Sequence, residues 1–420
     1  MTPVKFLHTA DLHLGKIFHD HSLLEDQAHM LDQLADILRD DSYRALLIAG
    51  DIYDRSIPSP EAVALFGAFL EKLCAARPDL AVLVLPGNHD SAPRLGFGRE
   101  LFAKLNIHIA AEPEQAFEPI VIEDCAFFLL PFLYPGCLCD SSSGEPARSQ
   151  GRLAELAAAR LETVRIKAVE AGTSLTVLGA HLFTLGSRES DSERIFLGTA
   201  EQVDAKLFAS FDYVALGHLH RFQQAASNTW YSGSPLAYSF DEASDAVGPA
   251  DAVDPADAVD PADAVGPADT VGQDKVFLSV ELAPGVPPTV SPIPVRPLRK
   301  LRRLRGGFNF FFRDSAEDPA VIEAAKDYLE ISLDDTALVE NPLALLRGRF
   351  PWLLSIRQGT AFARLAAQDG AIGETASAAL SGQKRSPAGD FADFLTGIYG
   401  EADPDKCSLF GELFAELSDS

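Results

Sequence analysis

The sequence predicts an α/β protein, a layered sandwich with a small second α/β unit and a C-terminal helical element. Three observations predict it. From Val4 to about Tyr238 short β-rich runs alternate with stretches of helical period. Asp, Asn and His recur just where those runs end. The composition changes abruptly after Phe240 and again after Arg357.

The expected strands are Val4–Thr9, Ala45–Ala49, Leu80–Leu85, Cys125–Leu130, Ser174–Ala180, Tyr213–Leu216 and Thr229–Ser232, all rich in β-branched or large apolar residues. Between them Leu23–Leu38, Pro60–Ala76, Arg152–Ala171 and Ala200–Phe208 carry apolar residues at helical spacing. Residues 245–268 repeat a hexapeptide four times (DAVGPA, DAVDPA, DAVDPA, DAVGPA). Proline at every sixth position blocks helix and central strand, and aspartate repels aspartate, so an extended, solvated loop without an anchor is expected. These aspartates lack the glycine-rich turns of calcium-binding repeats. A strand then resumes at Lys275–Leu282, followed by a Pro-rich stretch, 284–297, and a run, Arg296–Arg305, in which six of ten residues are basic. The small unit carries helices near 319–325 and 342–349 and strands at 328–333 and 353–357. Residues 359–388, rich in Ala, Gly and Ser, read as a linker. Two short amphipathic helices beyond it cannot bury both faces alone and suggest a docking element. The domains expected are therefore 1–293 with an insertion at 241–273, 294–358, the linker 359–388, and 389–420.

At 420 residues the chain is long enough for two or three domains. Hydrophobic residues at 47% and charged residues at 23% are ordinary globular usage and exclude wholesale disorder, collagen and a coiled-coil rod. The net charge of −26 argues against binding of DNA or an anionic membrane by the chain as a whole. Ten acids and no Lys or Arg fall between Asp241 and Asp274, so the remainder carries −16. No apolar run reaches the roughly 18 residues of a membrane span, and the first residues lack the form of a signal peptide, so a cytoplasmic location is expected. The five scattered cysteines make a poor disulfide framework and read as reduced thiols; Cys137 and Cys139 lack a second ligand pair at zinc-finger spacing.

Chemistry concentrates at strand ends: Asp11-Leu-His13, Gly50-Asp51, Gly87-Asn88-His89-Asp90, His181 and Gly217-His218-Leu-His220. In α/β sheets the crevice beyond the carboxyl ends of the strands is where ligands bind, so these segments can converge. Two aspartates, one asparagine and four histidines suffice for two adjacent divalent metals. Oxygen and imidazole donors without thiolate favour manganese, iron, zinc or magnesium-like ions. A central Asp51 is the natural bridge, and phosphoester hydrolysis is the chemistry implied. His8, His19, His21, His29 and His108 fall outside these motifs, although His19 and His21 lie near enough to the first to touch substrate.

In order and spacing these motifs resemble the calcineurin-like metallophosphoesterases. More closely, DLHLG, GDIYDR, PGNHD, AHLF, LGHLH and SGSPLAYSF resemble the SbcD family, the nuclease subunits of bacterial SbcCD complexes, over most of the chain. The resemblance implies that Asp11, His13, Asp51 and His220 hold one metal, that Asp51, Asn88, His181 and His218 hold the other, and that manganese is the ion. It makes His89 the catalytic imidazole, assisting departure of the 3′ oxygen. Asp90 would orient His89 or cap the following segment, and Arg55 would touch phosphate or form an ion pair. The small domain would cap the active site and grip DNA, with Arg299, Arg302 and Arg303 as contacts. The terminal helices would dock on an SbcC-type ATPase, with a homodimer inside a heterotetramer and no membrane association. The expected function is double-strand exonuclease and hairpin or single-strand endonuclease activity in DNA end processing, repair, recombination and replication. Competing readings are a phosphodiesterase or phosphatase acting on small nucleotides or phosphoproteins, and a non-catalytic DNA-end scaffold for the ATPase.

The acidic repeat departs from that family's pattern and is expected to project away from the DNA path. Deleting residues 245–273 should leave metal-dependent phosphodiesterase activity largely intact; a large loss or gain at low salt would contradict a projecting loop.

Overall fold

The computed structural model describes residues 3–140, 144–185, 187, 202–242, 275–359, 391, 404 and 406–410, with 246–247, 314 and 316 described for their backbone only. Two six-stranded sheets form its centre. The first runs in the order Thr289–Pro294, Val276–Leu282, Val4–Thr9, Ala45–Ala49, Ala81–Leu85, Ile107–Ile109. The second runs Gln223–Ala226, Thr229–Tyr231, Tyr213–Gly217, Leu175–His181, Cys125–Leu130, Ile120–Ile122. The strands from Val4 to Ile109 pair in parallel, with Phe6 opposite Ala45 and Ala45 opposite Ala81. Cys125–Leu130, Leu175–His181, Tyr213–Gly217 and Thr229–Tyr231 are likewise parallel. All of these carboxyl ends can therefore supply loops to one edge.

Continuous apolar runs such as ALLIA and AVLVL are the mark of strands covered on both faces. Alternate residues separate into two cores. Ala45, Leu47, Ala49, Leu83 and Leu85 face the second sheet, where Phe127, Leu129, Val177 and Tyr213 meet them. Leu46, Ile48, Val82 and Val84 face outward and are covered by the helices Leu24–Ile37 and Pro60–Ala76. The outer face of the second sheet is covered by Gln150–Glu170 through Leu153, Ala157 and Leu161. The sheets approach closely at Gly179, where an added Cβ would lie 3.2 Å from Leu47 and Leu85. Helix starts follow local chemistry. Ser59 accepts from the Ala62 amide ahead of Pro60, and Ser149 caps Gln150–Glu170 through the Arg152 amide.

Several expectations are corrected. Ala200–Phe208 is no helix within the described residues, which begin at 202: Val203 bridges Thr184 in extended form, and Asp204 caps only a short 3-10 turn, Ala205–Phe208. The Pro-rich stretch contains an edge strand, Thr289–Pro294, where a proline need not donate to an outer neighbour. The repeat was expected to be unanchored, yet Ala246–Val247 pair in parallel with Arg303 and Leu304; the rest of it lies outside the described residues. The basic run is half strand, Leu301–Gly306, with Leu301 and Leu304 buried. That strand lies in a third sheet, between Ala246–Val247 and Tyr328–Leu333, with Leu353–Arg357 beyond the latter.

Contacts divide the chain into two compact units. Met1–Ser332 with Asn341–Arg357 form one, so most of the small α/β segment belongs to the same unit as the two large sheets. Leu333–Glu340 and Gln358–Ser420 form the other, in which the Val339 amide donates to Gln358 Oε1 at 3.0 Å and the rings of Phe391 and Phe410 stack 4.3 Å apart. The expected linker and most of the two terminal helices lie outside the described residues.

Within the first unit Arg299 is a tie between distant segments. Its guanidinium bonds Asp26 Oδ2 at 3.0 Å and Glu25 Oε2 at 2.8 Å and lies over the Trp352 ring at 4.1 Å. Tyr328 donates to the same Asp26 oxygen at 2.8 Å. The Asp26 side chain is 4% exposed, so Arg299→Ala strands a buried charge and should cost about 3–5 kcal/mol in a denaturant titration. A loss below about 0.5 kcal/mol would show that the tie carries no stability.

Candidate metal centre

The DLHL and GDIY segments run side by side past their strands. The Asp11 amide donates to Gly50 O, that of His13 to Asp51 O and that of Leu14 to Ile52 O, all at 2.9–3.0 Å. Asp11, His13, Asp51 and His218 adopt positive φ values of 54°, 44°, 49° and 107°. Each such non-glycine conformation costs on the order of 1 kcal/mol or more and persists where the surroundings impose it. Glycines make room for the convergence. At Gly87 an added Cβ would collide with the Asp51 carboxylate, and at Gly217 with Ala49 O.

All seven expected donors come together. Asp11, His13 and His220 form one group whose ligand atoms lie within 4.8 Å of one another, and Asp11, Asp51 and His181 form a second. His13 Nε2 and His220 Nε2 face each other at 3.0 Å. Asn88 Oδ1 lies 3.0 Å from both His181 Nε2 and His218 Nδ1. Asp51 Oδ2, in the second group, also approaches the first, lying 3.7 Å from His13 Nε2 and 3.5 Å from His181 Nε2. Such a position suits a bridging carboxylate.

The electrostatics suit cation binding. Burial, reinforced by neighbouring imidazoles, holds the pKa of His13 well below 6.5 and brings His218 down to about 3. Burial also lowers His181, against the pull of Asp51. These rings are neutral and offer lone pairs. Burial would raise Asp51, but the attraction of His181 and His89 in their protonated forms and the bond from the His89 amide outweigh it, so Asp51 stays a carboxylate. His181 Nδ1 faces Ala49 O at 2.9 Å; a carbonyl only accepts, so Nδ1 carries the proton and Nε2 is left for a metal. Neutral imidazoles around a buried carboxylate and an amide oxygen, without thiolate, fit a divalent ion.

His89 belongs to the rim. Its amide donates to Asp51 Oδ1 at 2.9 Å and its ring packs edge-on to His13. Nδ1 donates to the Asp54 carbonyl at 2.8 Å, which fixes the tautomer and leaves Nε2 to exchange protons. Asp54 Oδ1 in turn accepts from Lys16 at 2.8 Å. Arg55 is exposed, with its Nε 3.7 Å from Asp54. The other three arginines expected at DNA are paired within the fold, Arg299 as described, Arg302 with Asp327 at 2.6 Å and Arg303 with Glu330 at 3.0 Å. His8 is a core histidine, bonded to the Tyr213 hydroxyl and Leu216 O. His21 lies beside Trp352, outside the donor groups.

Asp90 takes neither role foreseen for it. Its carboxylate accepts from the amides of Ile52, Tyr53 and Gly87 at 2.9–3.0 Å and so ties two donor loops together, while burial and Asp51 push its pKa up to about 7. Sequence reasoning missed three further supports. Gln27 donates to His13 O at 2.7 Å and accepts from the Gly15 amide at 2.9 Å. The Tyr134 hydroxyl donates to Asn88 O at 3.1 Å. Glu242 Oε1 lies 3.5 Å from His220 Nδ1. Gln27 sits on the inward stripe of its helix and Glu242 at the edge of the repeat, so neither showed a motif of its own. Asp90→Asn replaces one acceptor with a donor facing an amide. Stability should fall by about 1–3 kcal/mol and divalent-metal affinity by roughly 10–100-fold in calorimetric titration; unchanged affinity would mean that the loops hold their positions without it.

Over 359 residues, 85% of either chain, the protein is 28% identical to a curated relative from Staphylococcus saprophyticus, the SbcD component of the nuclease SbcCD. Among solved structures it is similar to GAP50, the anchor in the inner membrane complex of Plasmodium, at 10% identity with a TM-score of 0.41, covering 70% of this chain and 86% of that one. It is also similar to a dimetal phosphatase from Danio rerio, at 13% identity with a TM-score of 0.32, covering 55% and 87%. Residues 4–222, which contain all seven donors, match the calcineurin-like phosphoesterase family, and the chain belongs to that family.

Proposed function

We propose that the protein is a manganese-dependent DNA nuclease that works with an SbcC-type ATPase at DNA ends. The observation that carries this reading is the convergence of seven donors around Asp51 with an oriented imidazole, His89, at their rim. The relative named as part of the SbcCD nuclease, matched over 85% of the chain, supplies the substrate class and the partner.

In this reading Asp11, His13, Asp51 and His220 hold one ion and Asp51, Asn88, His181 and His218 the other. A pair of divalent ions held there would supply an activated water and neutralise charge on the phosphoryl group. The chain's residues do the rest. Asp51 accepts from the His89 amide, which fixes that residue beside the donors. The Asp54 carbonyl holds His89 Nδ1–H, so proton exchange with the departing 3′ oxygen falls to Nε2. Arg55, largely exposed beside Asp54, is the phosphate contact; Arg299, Arg302 and Arg303 serve the fold first.

The test is an assay with manganese and end-labelled duplex or hairpin DNA. Wild type should cleave, and His89→Ala should lose roughly 10²–10⁴-fold in rate while binding metal as before, because this reading places it outside the seven ligands. Turnover of a cyclic nucleotide without DNA cleavage would favour a small-substrate phosphodiesterase. No turnover of either substrate would favour a scaffold.

A further inference from the structure

The acidic insertion follows Glu242 in the sequence, and apart from the backbone of 246–247 the next described residue is Lys275. Glu242 and Lys275 form a buried ion pair, with side chains 1% and 15% exposed. Neither stands alone. Lys275 Nζ also donates to His220 O at 2.9 Å and to Ser234 Oγ at 2.9 Å, and Ser239 donates to Glu242 Oε1 at 3.1 Å. The same Glu242 oxygen lies 3.5 Å from His220 Nδ1, while His220 Nε2 faces His13. A carboxylate accepts only, so it favours the tautomer in which Nδ1 bears the proton and Nε2 offers its lone pair.

We propose that Glu242 is a positioning residue for His220, held in place by Lys275. The inference rests on the reading of His220 as a ligand. The two residues that flank the acidic insertion in sequence thus form a compensated charge pair next to a donor histidine.

The experiment is calorimetric titration of the full chain with manganese, with thermal unfolding alongside. The double variant Glu242→Leu/Lys275→Met removes both charges and keeps side-chain volume, so its unfolding temperature should stay near wild type. One of two manganese sites should weaken roughly 10–100-fold and the other hold its wild-type affinity. Both sites unchanged in a folded double variant would overturn the inference and leave the metal centre standing. A wild type that binds no manganese would overturn the centre and the inference together. Should the double variant not fold, ¹⁵N-histidine NMR of apo Glu242→Gln decides. A glutamine amide can donate as well as accept, so His220 should lose its preference for the Nδ1–H tautomer; an unchanged tautomer would overturn the proposal.

Discussion

Everything at the metal centre depends on two sheet edges brought into contact with no room to spare. Gly50 lies against the His181 ring, Gly87 against the Asp51 carboxylate and Gly217 against Ala49 O, each too close for a side chain. That contact brings donors from five segments, spread from Asp11 to His220, within a few ångströms. It is also what holds four donor residues at positive φ, a strain no isolated loop would sustain. The large inter-sheet core of Phe6, Leu47, Phe127, Val177 and Tyr213 stabilises the contact.

Around the donors lies a shell that sets ring tautomers and loop positions. Ala49 O does so for His181, Asp54 O for His89 and Glu242 for His220. Asp90 and Gln27 hold backbone rather than side chains, the first joining the Asp51 and Asn88 loops, the second gripping the loop around His13. A divalent site built this way is ordered before an ion arrives, which limits the reorganisation that binding must drive.

Much of this was legible in sequence because the controlling signals were local. Val4–Thr9, Ala45–Ala49, Cys125–Leu130, Tyr328–Leu333 and Leu353–Arg357 have the bounds expected, and in ALLIA and CAFFLL the buried strand is written as a short apolar run. The donors were visible because a strand end followed by Asp, Asn or His is chemically unusual. The misses share a cause. Glu242 acts on His220 from 22 positions away, Arg299 on Asp26 from 273 positions away, and no periodicity records such pairings. The basic run suggested a surface for phosphate, yet Leu301 and Leu304 give it a buried face, and Arg299, Arg302 and Arg303 find carboxylates inside the fold. Net charge is a poor guide to the centre, for ten of the acids stand in or beside the insertion along the sequence, and one of them, Glu242, is a support of His220.

The central claim is that these seven side chains form one two-ion centre bridged by Asp51. Anomalous diffraction at the manganese edge, from crystals soaked in manganese, tests it most directly. The account predicts two peaks roughly 3.5–4 Å apart, one beside Asp11, His13 and His220, the other beside Asn88, His181 and His218, with Asp51 touching both. A single peak, or peaks away from Asp51, would contradict it.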